Sequence, residues 1–266
     1  MDWSPPQFDG GVPPQGADGG SSALTLQFVE ALRYAAEMED RLGEKDRAAR
    51  YLELAKRASD GLMRLNWDEK TGLLADTPEK KDFSQQANSL AVWLDVIPKE
   101  KQRVVMEKVL AGSSALHMAE ASYYFRFYVA RAMVHAGLGD EYVAQLEPWR
   151  KMLGLGLSTW AETPEPTRSD SHAWSAHPTL DLLGIVGGIT PDAEGFRRVR
   201  IAPHPGKLQH VSAAMPTPKG LVEVDYQKQR SGWVAVVTLP EGLPGDLSWG
   251  GKVLPLHEGK QTVRLE

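Results

Sequence analysis

Cysteine is absent from the 266 residues. That excludes disulfides and thiolate metal sites, and it leaves the compartment open. Basic runs are absent too. Thirty Lys and Arg stand against 35 Asp and Glu for a net charge of −5, with no basic stripe, so nucleic acid is not an expected partner. No apolar run approaches the length a membrane span needs. The opening Met1-Asp2-Trp3-Ser4-Pro5-Pro6 has neither the charged nor the apolar region of a signal peptide; it reads like the middle of a domain, cut open. No His/Asp/Glu group has a metal-ligand spacing, and no Gly-rich phosphate loop follows a strand. Neither a metal nor a cofactor is expected. What remains is a chain long enough for one large domain or two ordinary ones, with ample apolar content for a core.

One stretch, residues 156–177, has no helical or strand period and is expected to be a loop. It nevertheless holds Trp160, Glu162, Glu165, Arg168, Asp170, His172, Trp174 and His177. A merely connecting loop gains nothing by holding indoles, so a long polar loop carrying them points to binding or catalysis. Carboxylates flanked by aromatic platforms suit sugar hydrolysis. Apolar sugar faces stack on Trp, while a carboxylate activates water or protonates the leaving oxygen. The plainer reading is a packed loop whose charges pair with one another, Glu162 with Arg168 first among them. His172 reads equally as a hydrogen-bonded structural histidine, and His177, before Pro178, as a residue that fixes the turn.

The rest of the chain gives the loop its setting. Residues 1–20 are Gly- and Pro-rich and irregular. Ser21 or Ser22 caps a helix running to Leu42, closed by Gly43, and a second helix follows from Lys45 to Leu65. Further helices are predicted over Ser84–Leu94, Glu100–Leu110, Glu120–Ala136 and Asp140–Leu153, with a short one near Pro178–Gly184. Alternating short and long connections put the long loops at one end of a helical array. That is the rhythm of an (α/α) toroid, here with about three hairpins and therefore a partial barrel. From about Ile189 the texture turns to β-branched and alternating segments punctuated by Gly and Pro, read as an antiparallel β-sandwich. The expected architecture is α+β and multidomain, with a partial barrel over 1–187 and a sandwich over 188–266. Tyr123 to Tyr128, Trp93, Trp149 and Trp233 are assigned to packing. Trp67 is left between stacking on a sugar and closing its hairpin.

The stretch Thr159-Trp160-Ala161-Glu162, followed by Arg168-Ser-Asp-Ser-His-Ala-Trp-Ser-Ala-His-Pro178, resembles the bacterial α-L-rhamnosidases of glycoside hydrolase family 78. Asp2-Trp3-Ser4, Gly19-Gly20-Ser21-Ser22 and Ser84-Gln85-Gln86-Ala87-Asn88-Ser89 resemble further segments of that family's C-terminal part, the six-hairpin barrel and the sandwich after it. The resemblance implies inverting hydrolysis of terminal α-L-rhamnose. Glu162 would be the general base, with His172 a sugar-binding histidine beside it and Trp3 a stacking platform. Trp160, Arg168, Asp170 and Trp174 would line the site or fix the loop. The family's Asp/Arg/Glu-rich general-acid motif does not occur here, and Glu120, Glu165 and Asp18 are the only substitutes. A rhamnose-containing saccharide is the expected ligand, and a homodimer or a complementing N-terminal segment the expected source of the missing carboxylate. The alternatives are a non-catalytic carbohydrate-binding or structural fragment that self-associates, and another (α/α)-barrel sugar enzyme such as a lyase.

Overall fold

Helix α1 (Ser22–Arg41) begins where Ser21, in extended conformation, accepts from the Leu24 amide through its side chain. Gly43, at φ +88°, lets the chain reverse into α2 (Lys45–Asn66), because only glycine takes that backbone conformation without strain. The structure, a computed structural model, describes residues 2, 13–112 and 118–265. Two compact units divide the chain, residues 1–138 and 139–266.

The first unit is organised around α3 (Gln85–Trp93), every residue of which from Gln85 to Val92 is buried. It packs against α1, α4 (Lys99–Ala111) and α5 (Arg126–His135). A buried helix carrying Gln85, Gln86, Asn88 and Ser89 needs partners for its amides. Gln85 donates to the Val109 carbonyl at 2.8 Å and accepts from the Ala121 amide at 2.9 Å. Gln86 donates to the Asp2 carboxylate at 2.6 Å. Asn88 both accepts from and donates to the Leu74 backbone at 2.9 Å, like the rung of a sheet. The residues that resembled an inner helix start are thus stitches holding loops onto that helix. Ser84 caps α3 and donates to Asp76 at 2.7 Å. Asp76 is fully buried, and burial pushes its carboxyl well above the usual carboxylate range.

Two helix expectations are corrected. The helix expected over Glu120–Ala136 starts only at Arg126. Upstream, β4 (Met118–Ala119) pairs in parallel with β3 (Phe83–Ser84), and the Ala121 and Ser122 amides are taken by Gln85 and Asp2. Pairing with β3 holds the chain extended through Ala119, and the Gln85 and Asp2 side chains pin the backbone at 121 and 122 ahead of the helix. The single helix expected over Asp140–Leu153 is two, a 3₁₀ turn over Gly139–Leu146 and α6 (Glu147–Gly154). Pro148 lacks the N–H that a continuous helix would need and is at home in the first turn of a new one. Trp67, in the short ladder β1 (Trp67–Asp68) with β2 (Leu73–Leu74), is 7% exposed with the Lys101 ammonium 4.7 Å from its ring. It closes its loop. Of the aromatic run, Tyr123 and Phe125 are buried, while Tyr124, Phe127 and Tyr128 are half-buried.

The second unit ends in two four-stranded sheets. One has the order β11 (Lys252–Leu256), β10 (Gly245–Trp249), β6 (Val199–Ile201), β5 (Ile189–Pro191). The other is β12 (Gly259–Leu265), β9 (Gly232–Leu239), β8 (Gly220–Gln229), β7 (His210–Thr217), antiparallel throughout. Strict alternation in β9 turns Trp233, Ala235, Val237 and Leu239 inward, as a period of two requires. The sheets meet where Trp233 stands edge-on to Trp249 at 6.2 Å. The antiparallel expectation is corrected at one pairing: β10 runs parallel to β6, so the first sheet is mixed. The long chain between these two strands passes through the whole second sheet except β12, which leaves β10 free to return in either direction.

Candidate active site

Residues 156–177 are irregular apart from a 3₁₀ turn over Ala173–Ser175, and α7 (His177–Asp181) follows. The loop folds back on itself. The Glu162 amide donates to the Ser169 carbonyl at 2.9 Å, and the His172 amide to the Trp160 carbonyl at 2.8 Å. The Thr159 hydroxyl donates to the Asp170 carbonyl. These rungs bring residues seven to twelve apart in sequence side by side, placing Glu162, Arg168, His172 and the two tryptophans in one short ribbon.

Its inner edge is anchored from below. Ser175, fully buried, donates through its hydroxyl to the Ala161 carbonyl at 2.8 Å. The Trp149 indole N–H on α6 donates to the Ser175 carbonyl at 2.8 Å. The backbone immediately before Glu162 is therefore tied to a buried tryptophan through one serine. Sequence reading missed Ser175. A serine between Trp174 and Ala176 has no signature, and its role becomes visible only once its hydroxyl meets the Ala161 carbonyl and its own carbonyl the Trp149 indole.

The Glu162 side chain is 5% exposed. Arg168 grips it with a two-point fork, Nε to Oε2 at 2.7 Å and Nη2 to Oε1 at 2.5 Å. The ion pair weighed as the plainer reading is therefore present. Its cover is thin, since the Arg168 side chain that closes over the carboxylate is itself 77% exposed. The Arg168 hydrogen bonds lower the Glu162 pKa below the usual carboxylate value; burial opposes them, and the charges of Arg168 and His172 add to them. His172 Nε2 lies 3.8 Å from Oε1, an ion-pair separation and too long for a hydrogen bond. The His172 ring packs on Trp174 with centroids 4.5 Å apart. Trp160 and Trp174 are half-buried.

Not every expected residue joins this group. Asp170 enters through its backbone carbonyl and is exposed. Glu165 is exposed and accepts from the Thr167 amide at 3.2 Å. Asp18 is exposed and caps the Gly20 amide. His177 sits against Trp149 and bonds Asp181 at 2.7 Å, beside the Tyr142 hydroxyl, which makes it a buried fixture of α7. Trp3 lies outside the described residues. Among the described residues no group of three or more acidic or imidazole side chains could hold a metal ion, and no helix is long and apolar enough to cross a membrane.

Residues 188–258 match the family described as the bacterial alpha-L-rhamnosidase C-terminal domain. No curated protein matches the chain by sequence. Among solved structures, the GH78 family rhamnosidase of Bacillus sp. GL1 aligns over 93% of this chain and 28% of its own, at 24% identity and a TM-score of 0.75. The α-L-rhamnosidase of Dictyoglumus thermophilum aligns over 99% of this chain and 32% of its own, at 19% identity and a TM-score of 0.74. The Streptomyces avermitilis α-L-rhamnosidase, solved with L-rhamnose, aligns over 90% and 26%, at 18% identity and a TM-score of 0.72. The chain thus spans about three-tenths of the length of these enzymes. The chain has the fold of the corresponding part of the α-L-rhamnosidases, and its residues 188–258 are similar to their C-terminal domain family.

Proposed function

We propose that the chain carries the base-side half of an α-L-rhamnosidase active site, on part of an (α/α) barrel over 1–187 followed by a β-sandwich over 188–266. The observation that carries this reading is Glu162. It is a nearly buried carboxylate, kept ionised by its surroundings, with an imidazole at 3.8 Å and two half-open indoles on the same ribbon. The family match beginning at residue 188 supports the division, and the rhamnose held by the Streptomyces avermitilis enzyme supports the sugar.

In the inverting reaction Glu162 takes a proton from water as that water attacks the anomeric carbon. A second carboxyl, about 6.5–9.5 Å away, protonates the departing oxygen. Trp160 and Trp174 offer apolar faces to the sugar, His172 a donor to a ring hydroxyl. Arg168 releases the carboxylate as substrate enters, which its exposed side chain leaves it free to do. The second carboxyl comes from a complementing segment or another copy. The alternative is a fragment that binds or supports without hydrolysing.

Hydrolysis of a chromogenic α-L-rhamnoside across protein concentrations separates these. Activity rising faster than linearly means that association completes the site; none at any concentration leaves the non-catalytic reading. Arg168→Met tests the electrostatics wherever turnover is measurable. A base works only when ionised, and Arg168 holds the Glu162 pKa down. The acid limb of the kcat/KM–pH profile, which reports the free enzyme with Arg168 in place, therefore lies below the ordinary carboxylate range and moves upward in the variant. An acid limb that stays in place would show that Glu162 is not the group titrating in the rate.

A further inference from the structure

Within the second unit, the segment 139–187, which carries the loop with Glu162, meets the β strands at both of its ends. At its exit a π-helical turn over Leu182–Val186 runs into Gly187 and Gly188. The Tyr226 hydroxyl, fully buried on β8, donates to the Gly187 carbonyl at 2.9 Å. The Ile185 carbonyl accepts from the His204 amide, and the Gly188 carbonyl from the Ala202 amide, both at 2.9 Å. At the entry the Gly206 amide donates to the Asp140 carboxylate at 2.9 Å. One irregular stretch after β6, residues 202–206, therefore grips the entry and the exit together. The contact is too close for side chains. A Cβ at Gly188 would collide with the backbone of Ala202 and Pro203, and one at Gly139 would stand 2.5 Å from the His204 ring. Inside the segment the Tyr142 hydroxyl donates to Asp181 at 3.0 Å, which ties the two ends to each other.

We infer that the β-sandwich is a two-point clamp on the segment that carries Glu162, and that Tyr226 is a positioning residue for that segment. The inference stands on packing and not on the hydrolytic reading, so either can fail alone. Irregular chain is ordered only as far as its ends and side contacts hold it, because every fixed residue costs conformational entropy. The loop over 156–177 has a continuous line of such contacts. From Gly187 the chain runs back through the π turn to Asp181, which bonds both Tyr142 and His177. Two residues before His177 stands Ser175, which holds the Ala161 carbonyl at 2.8 Å. The next residue is Glu162. At the other end of this line the Tyr226 hydroxyl is a fixed donor: burial pushes its pKa upward, so it keeps its proton wherever the protein is folded. A line of contacts becomes a coupling only when a change at one end is read at the other.

Hydrogen exchange of the full chain, read by mass spectrometry, makes that measurement without any turnover. Tyr226→Phe removes one oxygen and leaves the buried Gly187 carbonyl without its donor. Amides of α6 and of residues 156–177 then exchange on the order of tenfold faster, while those of β8 and β9 keep their protection. Leu265→Val is the comparison. Leu265 is 2% exposed on β12, at the opposite edge of its sheet from β7, and its shortening leaves the ratio of segment to strand exchange where it was. A ratio unmoved by Tyr226→Phe overturns the clamp. So does a ratio that Leu265→Val raises as much as Tyr226→Phe does, because the segment would then follow the stability of the sandwich at large and not its hold at Gly187. Neither result bears on the base, which turnover in Glu162→Gln decides.

Discussion

Glu162→Gln leaves the fold standing and lowers turnover of a chromogenic α-L-rhamnoside by about 10²–10⁴-fold, the usual contribution of a positioned general base. The amide is isosteric and uncharged, and it cannot take the proton that water must lose. Its NH₂ group faces the Arg168 fork, which donates at 2.7 and 2.5 Å in the native loop. One of the two hydrogen bonds is therefore lost, and Arg168, already 77% exposed, turns to solvent without leaving a buried charge. The Ser169 and Ser175 bonds that shape the ribbon run through backbone atoms at residues 161 and 162 and are indifferent to the side chain. The melting transition thus stays near that of the native chain while the rate falls. Azide separates catalysis from mere damage. In Glu162→Ala a small anion can occupy the vacated space and attack the anomeric carbon, so added azide restores turnover if Glu162 is the base. Turnover unchanged in Glu162→Gln, measured wherever the native protein is active, would remove Glu162 from the chemistry and leave it as the ion-pair partner of Arg168.

The loop was legible in the sequence because its composition was at odds with its role as a connection. Indoles and imidazoles in an aperiodic polar stretch have few uses, and Glu162, Arg168 and His172 do come together. Helices α1 to α4 were legible for a different reason, their regular apolar spacing and their serine and glycine ends. Reading failed where long-range partners override local signals. Nothing in Glu120-Ala-Ser-Tyr-Tyr announces that the residues before it pair with Phe83–Ser84 and that Gln85 and Asp2 pin the backbone at 121 and 122, so the helix begins six residues later than expected. The parallel β10–β6 pairing is a matter of which distant strand arrives beside β10, and alternation says only that a strand exists. Exposure misled in the other direction. Asp170 looks like a site carboxylate by type, yet it is the Asp170 carbonyl that the loop uses.

Trp149→Ala should be the most destabilising single change in the second unit's helical part, at about 3–5 kcal/mol for removing a buried tryptophan. The indole is 4% exposed and stands edge-on to His177 at 5.0 Å, so its loss opens a cavity between α6 and α7. It also leaves the Ser175 carbonyl without the N–H that reaches it at 2.8 Å, and an unpaired buried acceptor costs about 1–3 kcal/mol by itself. Trp149→Phe divides the two contributions, since it keeps most of the ring and removes the donor. Its expected loss is the smaller one, about 1–3 kcal/mol, read by urea unfolding at a pH where Glu162 is ionised. The consequence for function follows from the order of the bonds. Trp149 holds Ser175, Ser175 holds the Ala161 carbonyl, and the next residue is the base. A loosened Ser175 lets the Glu162 backbone drift, and a catalytic group displaced by about 1 Å can cost a hundredfold in rate. Trp149→Phe should therefore lower kcat well beyond what its stability loss explains at a temperature where the variant is fully folded, with KM less affected. Equal activity in a folded Trp149→Phe variant would mean that Ser175 keeps its place through packing alone, and the tryptophan would then matter to the core and not to the base.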